Sequence, residues 1–591
     1  MERHLRRVDN RHRPERSGSS LVPVCACVLV CLATTANRAT AQQLDTKQTE
    51  KKIDAYLAKK KRTGAAAIPK RKTVDAQKST DTRPLFKLAD VSLEGATAIP
   101  AEALAETYED YIGKKVSKAD LAAITEKISE LYRDAGFHLS RAIIPPQDIK
   151  EGRIQVQVIE GKIKEIVLKG EGAEQSGVRP ILEPVAAEHP SLLKTLERSL
   201  LLAHDVPGVH VKDTALDEIG VASGKFRLIV HLETWDIYSA LGLDNRGTSD
   251  VGPLQGYTVS AFNSLLMPGD TLGIDLSTIP DTTQELGFGR LSYDVPLGIN
   301  GTRLGAAASY NEIRPSDESR YLNTVTRTMS VEVNASRALL RRRKSSLWLM
   351  AAAGISDVSE SDDLGTNYKD HIRTVSLTGN YELHDEYDGA NYLTATVRNG
   401  ADIFGASDKD DLQLSTDDGN PGFTKLNFDY TRYQKLSDMW SLNFSATGQW
   451  ASTALLSSEE FYIGGVAFGR GYDGGELSGD KGLAGSLELR FDEEIKESYL
   501  KGYQLYGFIE RGIVHDFRDG KDDVDALTSA GGGIRLFLAN DLQAELEIAL
   551  PLDYRSPENE ERDPGFFFSL SKSFKLCPRR YRRMRCVVES P

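Results

Sequence analysis

The chain has 591 residues, of which 40% are hydrophobic and 27% are charged, and its formal net charge is −13. This length accommodates more than one domain, and the acidic balance argues against nucleic acid as a partner. The five cysteines lie in an apolar N-terminal stretch and in the C-terminal tail. The sequence between them therefore carries no thiol nucleophile and no cysteine-ligated metal site.

The first 41 residues have the pattern of an export signal. Arginine-rich residues 1–16 precede an apolar core at 21–32, and Ala39 and Ala41 form a small-x-small cleavage site. After residue 40 no apolar run reaches 18 residues, so no helical membrane span is expected. Within residues 42–85, the spacing of apolar residues predicts a helix over 45–61, although a disordered leader fits this polar segment equally well.

Residues 86–235 contain two similar sequence repeats, each with the pattern of strands and helices. The first, at 86–161, predicts a strand, two helices and two further strands; the second helix has Ser117 as its N-cap and ends at Gly136. The second repeat, at 162–235, has the same β-α-α-β-β order. The predicted segments are 86–93, 101–111, 117–135, 138–144 and 153–159 in the first repeat, and 163–168, 176–186, 191–203, 208–214 and 225–233 in the second. Two repeats of this kind indicate tandem small α+β modules.

From 236 to 574 the periodicity changes to strict alternation, as in residues 542–550, where Leu, Ala, Leu, Ile and Leu alternate with polar side chains. Sixteen such strands can be counted. Most connections alternate between short ones and long ones, the latter including 311–323, 356–369, 400–422 and 453–481. This alternation is typical of an even-numbered antiparallel membrane β-barrel with short periplasmic turns and long outer loops. A basic tail, 575–591, follows.

Strand parity turns the charged residues of this region toward the barrel lumen, since arginine or lysine on the lipid face would cost about 2–4 kcal/mol near the midplane. The lumen charges predicted in this way include Glu488, Arg490, Arg535, Glu545 and Glu547. The acidic loop at 400–422 has no known calcium-loop spacing and is read as a solvated loop. No catalytic constellation, metal site, cofactor site or nucleotide site is expected.

The order of modules and barrel resembles the outer-membrane transporters of two-partner secretion, the haemolysin and adhesin secretion-activation proteins. The resemblance rests on LERSLLLAHDVPGVHV (196–211), LGLDNRGT (241–248), NSLLMPGDTL (263–272) and EEFYIGGVAFGRGY (459–472). It implies that the modules are polypeptide-transport-associated domains in the periplasm and that residues 45–61 form a plug helix in the lumen. It also implies a secreted adhesin-like or haemolysin-like partner, contact with outer-membrane lipid, and help from the barrel assembly machinery.

The resemblance is most specific at the sixth long loop. The family carries Val-Arg-Gly-Tyr at the tip of this loop and Phe-x-Asp-x-Gly on a late barrel strand. Here glycine replaces the valine and glutamate replaces the aspartate. The matching residues are Arg470, Gly471, Tyr472, Phe508, Glu510 and Gly512. The resemblance implies that the loop folds into the lumen and that Arg470 pairs with Glu510. The leg of seventeen residues before Arg470 is long enough to reach past the middle of the barrel, at about 3.3 Å per extended residue.

The resemblance further implies that the second strand of each module is a sheet edge. Such an edge offers unpaired backbone groups to an extended client chain. The predicted client-binding residues are His138, Leu139, Ser140 and Arg141 in the first module, and Val209, His210 and Val211 in the second. Two other functions stay open at this point. An insertase for other barrels shares the modules and the loop motif, and a passive solute porin shares the barrel.

Overall fold

The computed structural model describes residues 80–280, 285–315, 318–517, 524–553 and 563–576. The expected export signal, the expected helix at 45–61 and tail residues 577–591 lie outside these ranges. Within the described ranges, none of the helices has the length and apolar character needed to cross a membrane.

The first module is a three-stranded sheet with helices and a separate pair of short strands. Its elements are β1 (Pro84–Lys87), β2 (Asp90–Glu94), α1 (Ala101–Ala105), β3 (Lys115–Ser117), α2 (Lys118–Asp134), β4 (Arg141–Ile143) and β5 (Arg153–Ile159). The sheet order is β2-β5-β4, with β2 parallel and β4 antiparallel to β5. Ser117 caps α2 in a capping box with Asp120, which explains why the helix begins there.

Two expectations for this module were wrong in detail. The single strand expected at 86–93 is two strands, because β1 pairs with β3 whereas β2 pairs with β5. Leu88 lies between them and is fully buried in the module core. The helix expected over 101–111 ends at Ala105 and is followed by a single 3₁₀ turn, Glu109–Tyr111.

The second module repeats the same architecture. Its elements are β6 (Lys162–Lys169), α3 (Val178–Ala187), α4 (Leu193–His204), β7 (Val209–Glu218) and β8 (Lys225–Thr234). The sheet order is β6-β8-β7, so β7 lies at an edge. The tandem α+β modules predicted from the repeat are confirmed.

The remaining strands close into a barrel of sixteen antiparallel strands. The strands are β9 (Ile237–Asp244), β10 (Gln255–Asn263), β11 (Thr271–Thr278), β12 (Leu286–Pro296), β13 (Thr302–Ile313), β14 (Val325–Arg341), β15 (Ser345–Asp362), β16 (Gly365–His384), β17 (Gly389–Gly400), β18 (Thr424–Lys435) and β19 (Trp440–Ala451), then, after the loop strands β20 (Phe461–Ile463) and β21 (Leu477–Gly479), β22 (Lys481–Glu494), β23 (Leu500–His515), β24 (Val524–Leu538), β25 (Leu542–Pro551) and β26 (Gly565–Leu576). The predicted fold class is confirmed, because all sixteen strands are present in an antiparallel closed sheet.

Exposure along β23 shows which face is which. Leu505 and Ile509 are 44% and 52% exposed, whereas the alternate residues Tyr506, Phe508 and Glu510 are 6%, 6% and 2% exposed. A soluble sandwich would bury the leucine and isoleucine and leave the glutamate outside. The outer face is therefore the apolar one, as a lipid-facing barrel requires.

The barrel closes between its first and last strands. β26 pairs with β9 over eight residue pairs, from Ser569 opposite Asp244 to Leu576 opposite Ile237. Beyond the last pair, the side chain of Asn245 continues the ladder, since it donates to the Phe566 carbonyl and accepts from the Phe568 N–H. The seam is thus hydrogen-bonded along its length and past its end.

The expectation of a long connection at 356–369 was wrong. β15 and β16 continue as an 18-residue and a 20-residue strand, and their pairing ends with Asp362 opposite Gly365. The polar composition of 356–362 is typical of a loop. These residues belong to a hairpin in which Val358 and Tyr368, both almost fully buried, pack against each other.

The second module contacts the barrel at the ends of β14 and β10, where the connections are short. Arg341 donates two hydrogen bonds to Asp205, at 2.7 and 2.8 Å, and its guanidinium lies 5.0 Å from the Trp348 ring centre. Arg198 donates to the Ala338 carbonyl at 2.8 Å. These contacts fix the module under one side of the barrel opening.

Candidate functional site

The sixth outer loop, residues 452–480, turns into the barrel and contacts side chains of the inner wall. Its two short strands, β20 and β21, pair with each other from Phe461 opposite Gly479 to Ile463 opposite Leu477. Phe461, Ile463 and Leu477 pack with inward residues of the wall, including Ala484 and Leu527. The loop is therefore a small hairpin with an apolar side against the barrel wall.

Glycines make the tip of this hairpin. Gly464 and Gly469 have φ of 112° and 85°, a region that side chains with a Cβ rarely adopt. A Cβ at Gly469 would lie 2.8 Å from Leu527 and 3.1 Å from the Gly464 nitrogen. The glycine that stands where the family has valine is thus required by the local backbone.

Arg470 lies at the centre of the site. Its guanidinium donates to Glu510 through Nε at 2.8 Å, to Glu488 at 3.1 Å and to Glu547 at 3.0 Å. The backbone N–H groups of Gly469 and Arg470 donate to the other oxygen of Glu510, at 2.8 and 3.0 Å. We call these interactions the tip contact. One cation meets three carboxylates, not the single acid that the motif implies.

On the wall side of the tip contact, the alternation of side chains along β23 determines which residues face the loop. Glu510 and Phe508 both point inward from β23, and the Arg470 guanidinium lies 3.4 Å from the Phe508 ring centre, a cation–π geometry. Ser486 and Ser529, on the two neighbouring strands, have hydroxyls 3.1 and 3.3 Å from the Glu510 carboxylate. Glu510 thus has neutral donors besides its arginine.

The remaining motif residues fill defined places around the tip. A Cβ at Gly471 would lie 2.7–2.8 Å from the backbone of Leu550, and one at Gly512 would lie 2.7 Å from Ile463. Tyr472 is 6% exposed and donates to the Thr528 carbonyl at 3.1 Å. Glycine at these two positions lets the hairpin approach the wall closely.

The five predicted lumen charges surround the same point. Arg535 pairs with Glu488 and Glu545, and Arg490 also pairs with Glu488, at 2.7–2.9 Å. The Tyr506 hydroxyl lies 2.7 Å from the Glu545 carboxylate and 2.6 Å from the Glu547 carboxylate, so its proton is shared between them. The charges therefore form one network of alternating sign rather than a scattered lining.

Sequence reasoning missed Arg246, which completes this network. It pairs with Glu547 at 2.5 Å, and its guanidinium lies 3.9 Å from the Phe567 ring centre on the last strand. Arg246 lies two residues after the end of β9, within the segment LGLDNRGT already singled out. A count of acids against bases facing the lumen could have identified it, since Glu547 otherwise shares one arginine with two other carboxylates.

The return of the loop to the wall depends on a buried acid. Asp480 is 2% exposed and accepts from the N–H groups of Leu455 and Phe517, at 2.6 and 2.9 Å. Burial and the neighbouring Asp516 raise the pKa of Asp480 to about 6. This carboxyl holds both ends of the loop to the outer part of β23.

The predicted client-binding strand of the first module is shorter and more occupied than expected. β4 begins at Arg141, not His138, and Leu139 and Ser140 are buried, Leu139 within the core of the second module. Arg141 pairs with Glu218 at 2.8 Å, and the N–H of Ala142 donates to Ser129 at 2.9 Å. Much of this edge is used in the junction between the modules.

The predicted strand of the second module is longer. β7 has ten residues at the sheet edge, from Val209 to Glu218, and includes His210 and Val211. The Val211 N–H donates to Nδ1 of His204 at 3.2 Å, and the His204 and His210 rings are 4.9 Å apart. Toward its other end, Leu216 is partly buried against the module core.

Comparisons with known proteins agree with this architecture. Residues 86–161 match the POTRA domain, ShlB-type, and residues 229–536 match the haemolysin secretion/activation protein ShlB/FhaC/HecB. The chain is 24% identical to the heme/hemopexin transporter protein HuxB of Haemophilus influenzae over 80% of this chain and 85% of HuxB. It is 21% identical to the outer membrane transporter CdiB of Escherichia coli strain 536 over 80% of each. The solved structure of CdiB from Escherichia coli superposes with a TM-score of 0.70 at 18% identity, covering 91% of this chain and 98% of that one.

Proposed function

The chain belongs to the haemolysin secretion/activation protein family, ShlB/FhaC/HecB, and from this premise we propose how it passes its client across the membrane. It is an outer-membrane transporter of two-partner secretion, with its modules in the periplasm. In the proposed route, an unfolded secreted protein binds the second module, enters the lumen beside the sixth loop and leaves at the cell surface.

The observation that carries this proposal is the tip contact inside a closed barrel. A solute porin needs a lumen but no arginine held among three carboxylates by a loop from the outer side. The contact gives the lumen a removable obstacle, because a loop bound by hydrogen bonds can leave the wall without breaking the barrel. The insertase alternative is not favoured, since the family match and the curated relatives are transporters.

We propose that the client adds as a strand to β7 of the second module. Gly208, just before β7, packs against Asn263 at the end of β10, and Glu218 at the other end pairs with Arg141 of the first module. β7 therefore runs from the junction of the modules to the barrel opening. An extended client paired along it would be led to the lumen by backbone hydrogen bonds, which tolerate many sequences.

Proline at Leu216 tests this route. The Ile219 N–H donates to the Lys225 carbonyl within the hairpin, so by alternation the Leu216 N–H points away from β8. Leu216→Pro removes an outward donor while leaving the donors that β8 uses, and Leu216→Ala is the matched control because it keeps the N–H. Co-expressed with its secreted partner protein, the proline variant should release several-fold less client than the alanine variant at equal barrel content. Equal secretion by the two variants would exclude β7 as the client strand.

We further propose that the client is an adhesin-like or haemolysin-like protein. Transport by this route needs only binding and passage, without covalent chemistry and without a cofactor. Contact with lipid and dependence on the barrel assembly machinery are part of the same proposal. The apolar outer face, with residues such as Leu505 and Ile509 exposed, supports the lipid contact.

A further inference from the structure

The sixth loop has a second charged contact with the wall, before its tip. The carboxylate of Glu459 lies 2.6 Å from Nζ of Lys425 and 3.5 Å from the guanidinium of Arg398. Lys425 also donates to the Glu459 carbonyl at 2.9 Å, and Gln449 donates to the same carbonyl at 3.1 Å. We call this set the leg anchor.

The acid and the lysine of the leg anchor are as enclosed as the arginine of the tip contact. The side chains of Glu459 and Lys425 are 7% and 8% exposed. Just before Glu459, Leu455 and Leu456 are fully buried against Phe423 and other apolar residues of the neighbouring loop and wall. The first part of the loop thus has an ion pair and an apolar cluster of its own.

The two contacts have opposite polarity and use different parts of the wall. At the leg anchor the loop supplies the acid and β17 and β18 supply the bases. At the tip contact the loop supplies the base, Arg470, and β22, β23 and β25 supply the acids. Neither charge of the loop is suited to the other's position, because each would meet charges of its own sign.

A pair of glycines separates the two contacts. Gly464 and Gly465 follow β20 directly and have φ of 112° and 81°. Glycine adopts many backbone conformations at little cost, so these two residues can change the direction of the chain while β20 stays in place. No comparable pair of glycines lies between Leu455 and Glu459.

We propose that Glu459, through Lys425 and Arg398, is the fixed pivot on which the loop tip swings out of the lumen. Only the tip, from Gly464 to Tyr472, then leaves the wall during transport, while the leg stays bound. This inference rests on the proposed function, because it concerns how the passage opens. Glu459 and Lys425 are positioning residues: they set where the tip returns after the client has passed.

Hydrogen–deuterium exchange on the purified full-length protein in detergent tests the pivot without any client. The variants are Arg470→Ala for the tip, and Glu459→Gln and Lys425→Met for the leg. Arg290→Gln is the matched control, because Arg290 and Asp275 form a lumenal wall–wall pair that is similarly buried. Heat-modifiable migration shows for each variant that the barrel is folded.

Separate behaviour of the two segments is the expected result. Arg470→Ala should speed exchange in 464–472 by about tenfold or more, as for loss of a buried ion pair, and leave 452–463 protected. The two leg variants should speed exchange in 452–463 by a similar factor, whereas Lys425→Arg, which keeps the cation, should retain most of the protection. Arg290→Gln should change neither segment.

Two outcomes would overturn the pivot. One is that Arg470→Ala exposes the whole loop, since the leg would then depend on the tip. The other is that Glu459→Gln and Lys425→Met leave 452–463 as protected as in the unchanged protein. Neither outcome bears on the proposed function, which fails instead if the folded, unchanged transporter releases no partner protein to the medium.

Discussion

The geometry of the tip contact predicts that Arg470→Gln and Glu510→Gln have unequal effects. In Arg470→Gln, Glu488 keeps Arg490 and Arg535, and Glu547 keeps Arg246. Glu510 is the one carboxylate of the three whose described ion pairs are all with Arg470, and it would be left with neutral donors only. In Glu510→Gln, by contrast, Arg470 still meets two carboxylates.

The magnitudes follow from burial. The side chains of Arg470 and Glu510 are 9% and 1% exposed, so removal of the arginine leaves an uncompensated buried charge. This change should destabilise the bound position of the loop by about 3–5 kcal/mol. Glu510→Gln weakens charged hydrogen bonds without stranding a charge and should cost about 1.5–3 kcal/mol. A difference of about 2 kcal/mol corresponds to roughly thirtyfold in the occupancy of the bound loop.

Single-channel conductance in planar bilayers reports loop occupancy, and secretion of the partner reports function. Open events should be more frequent in Arg470→Gln than in Glu510→Gln, and least frequent in the unchanged protein. Secretion should fall in the same order while heat-modifiable barrel still accumulates. The charge exchange Arg470→Glu with Glu510→Arg should not restore either property, because the new glutamate would face Glu488 and Glu547. Equal effects of the two single changes, or recovery in the exchange, would show an isolated pair and refute the network.

Three further predictions concern the surroundings of the site. Gly469→Val should release the tip, because φ at 469 is 85° and the new side chain would press on Leu527. The release should be measured as increased single-channel conductance. Unchanged conductance would mean that the backbone adapts to the valine. The folded-state pKa of Asp480 lies above its unfolded value, so its stabilising effect is present below about pH 4 and is lost as pH rises through about 6. The temperature of the heat-modifiability transition should therefore fall between about pH 4 and pH 6, and Asp480→Asn should reduce that fall; an identical fall in the variant would contradict the assignment. Arg341→Ala removes both hydrogen bonds to Asp205, and limited proteolysis should then cleave between the second module and the barrel faster in the variant than in the unchanged protein; equal rates would show that this pair does not hold the module.

The sequence predicted the elements whose residue pattern is set by the local surroundings of that element alone. Each barrel strand faces lipid on one side and the lumen on the other, so alternation identified all sixteen strands, although it did not show how far β15 and β16 extend. The capping residue Ser117 located the start of α2 for the same local reason. Elements whose pairing is decided by distant residues were less predictable. The segment 86–93 looks continuous, but its two halves belong to different sheets.

The tip contact was predictable as a pair and not as a network. The motif names Arg470 and Glu510, while Arg246 lies in the first outer loop, where the sequence has no periodicity to assign a direction. The same is true of Glu459 in the leg anchor, which lies in the first part of the sixth loop. Which lumen charges meet depends on the register of six strands and on how the hairpin packs. The distances between these charged side chains follow from the three-dimensional arrangement rather than from their spacing along the chain.

The seam between β26 and β9 sets an order of events for the newly made chain. Asn245 bonds to Phe566 across 321 positions of sequence, and the whole ladder joins the first barrel strand to the last. Closing so large a loop has a high entropic cost and is slow compared with forming the neighbouring hairpins. Until the final strand has been made, β9 presents an open edge that can pair with other strands. The modules precede the barrel in the chain and do not need this closure, so the proposed client-binding surface can form before the pore is sealed.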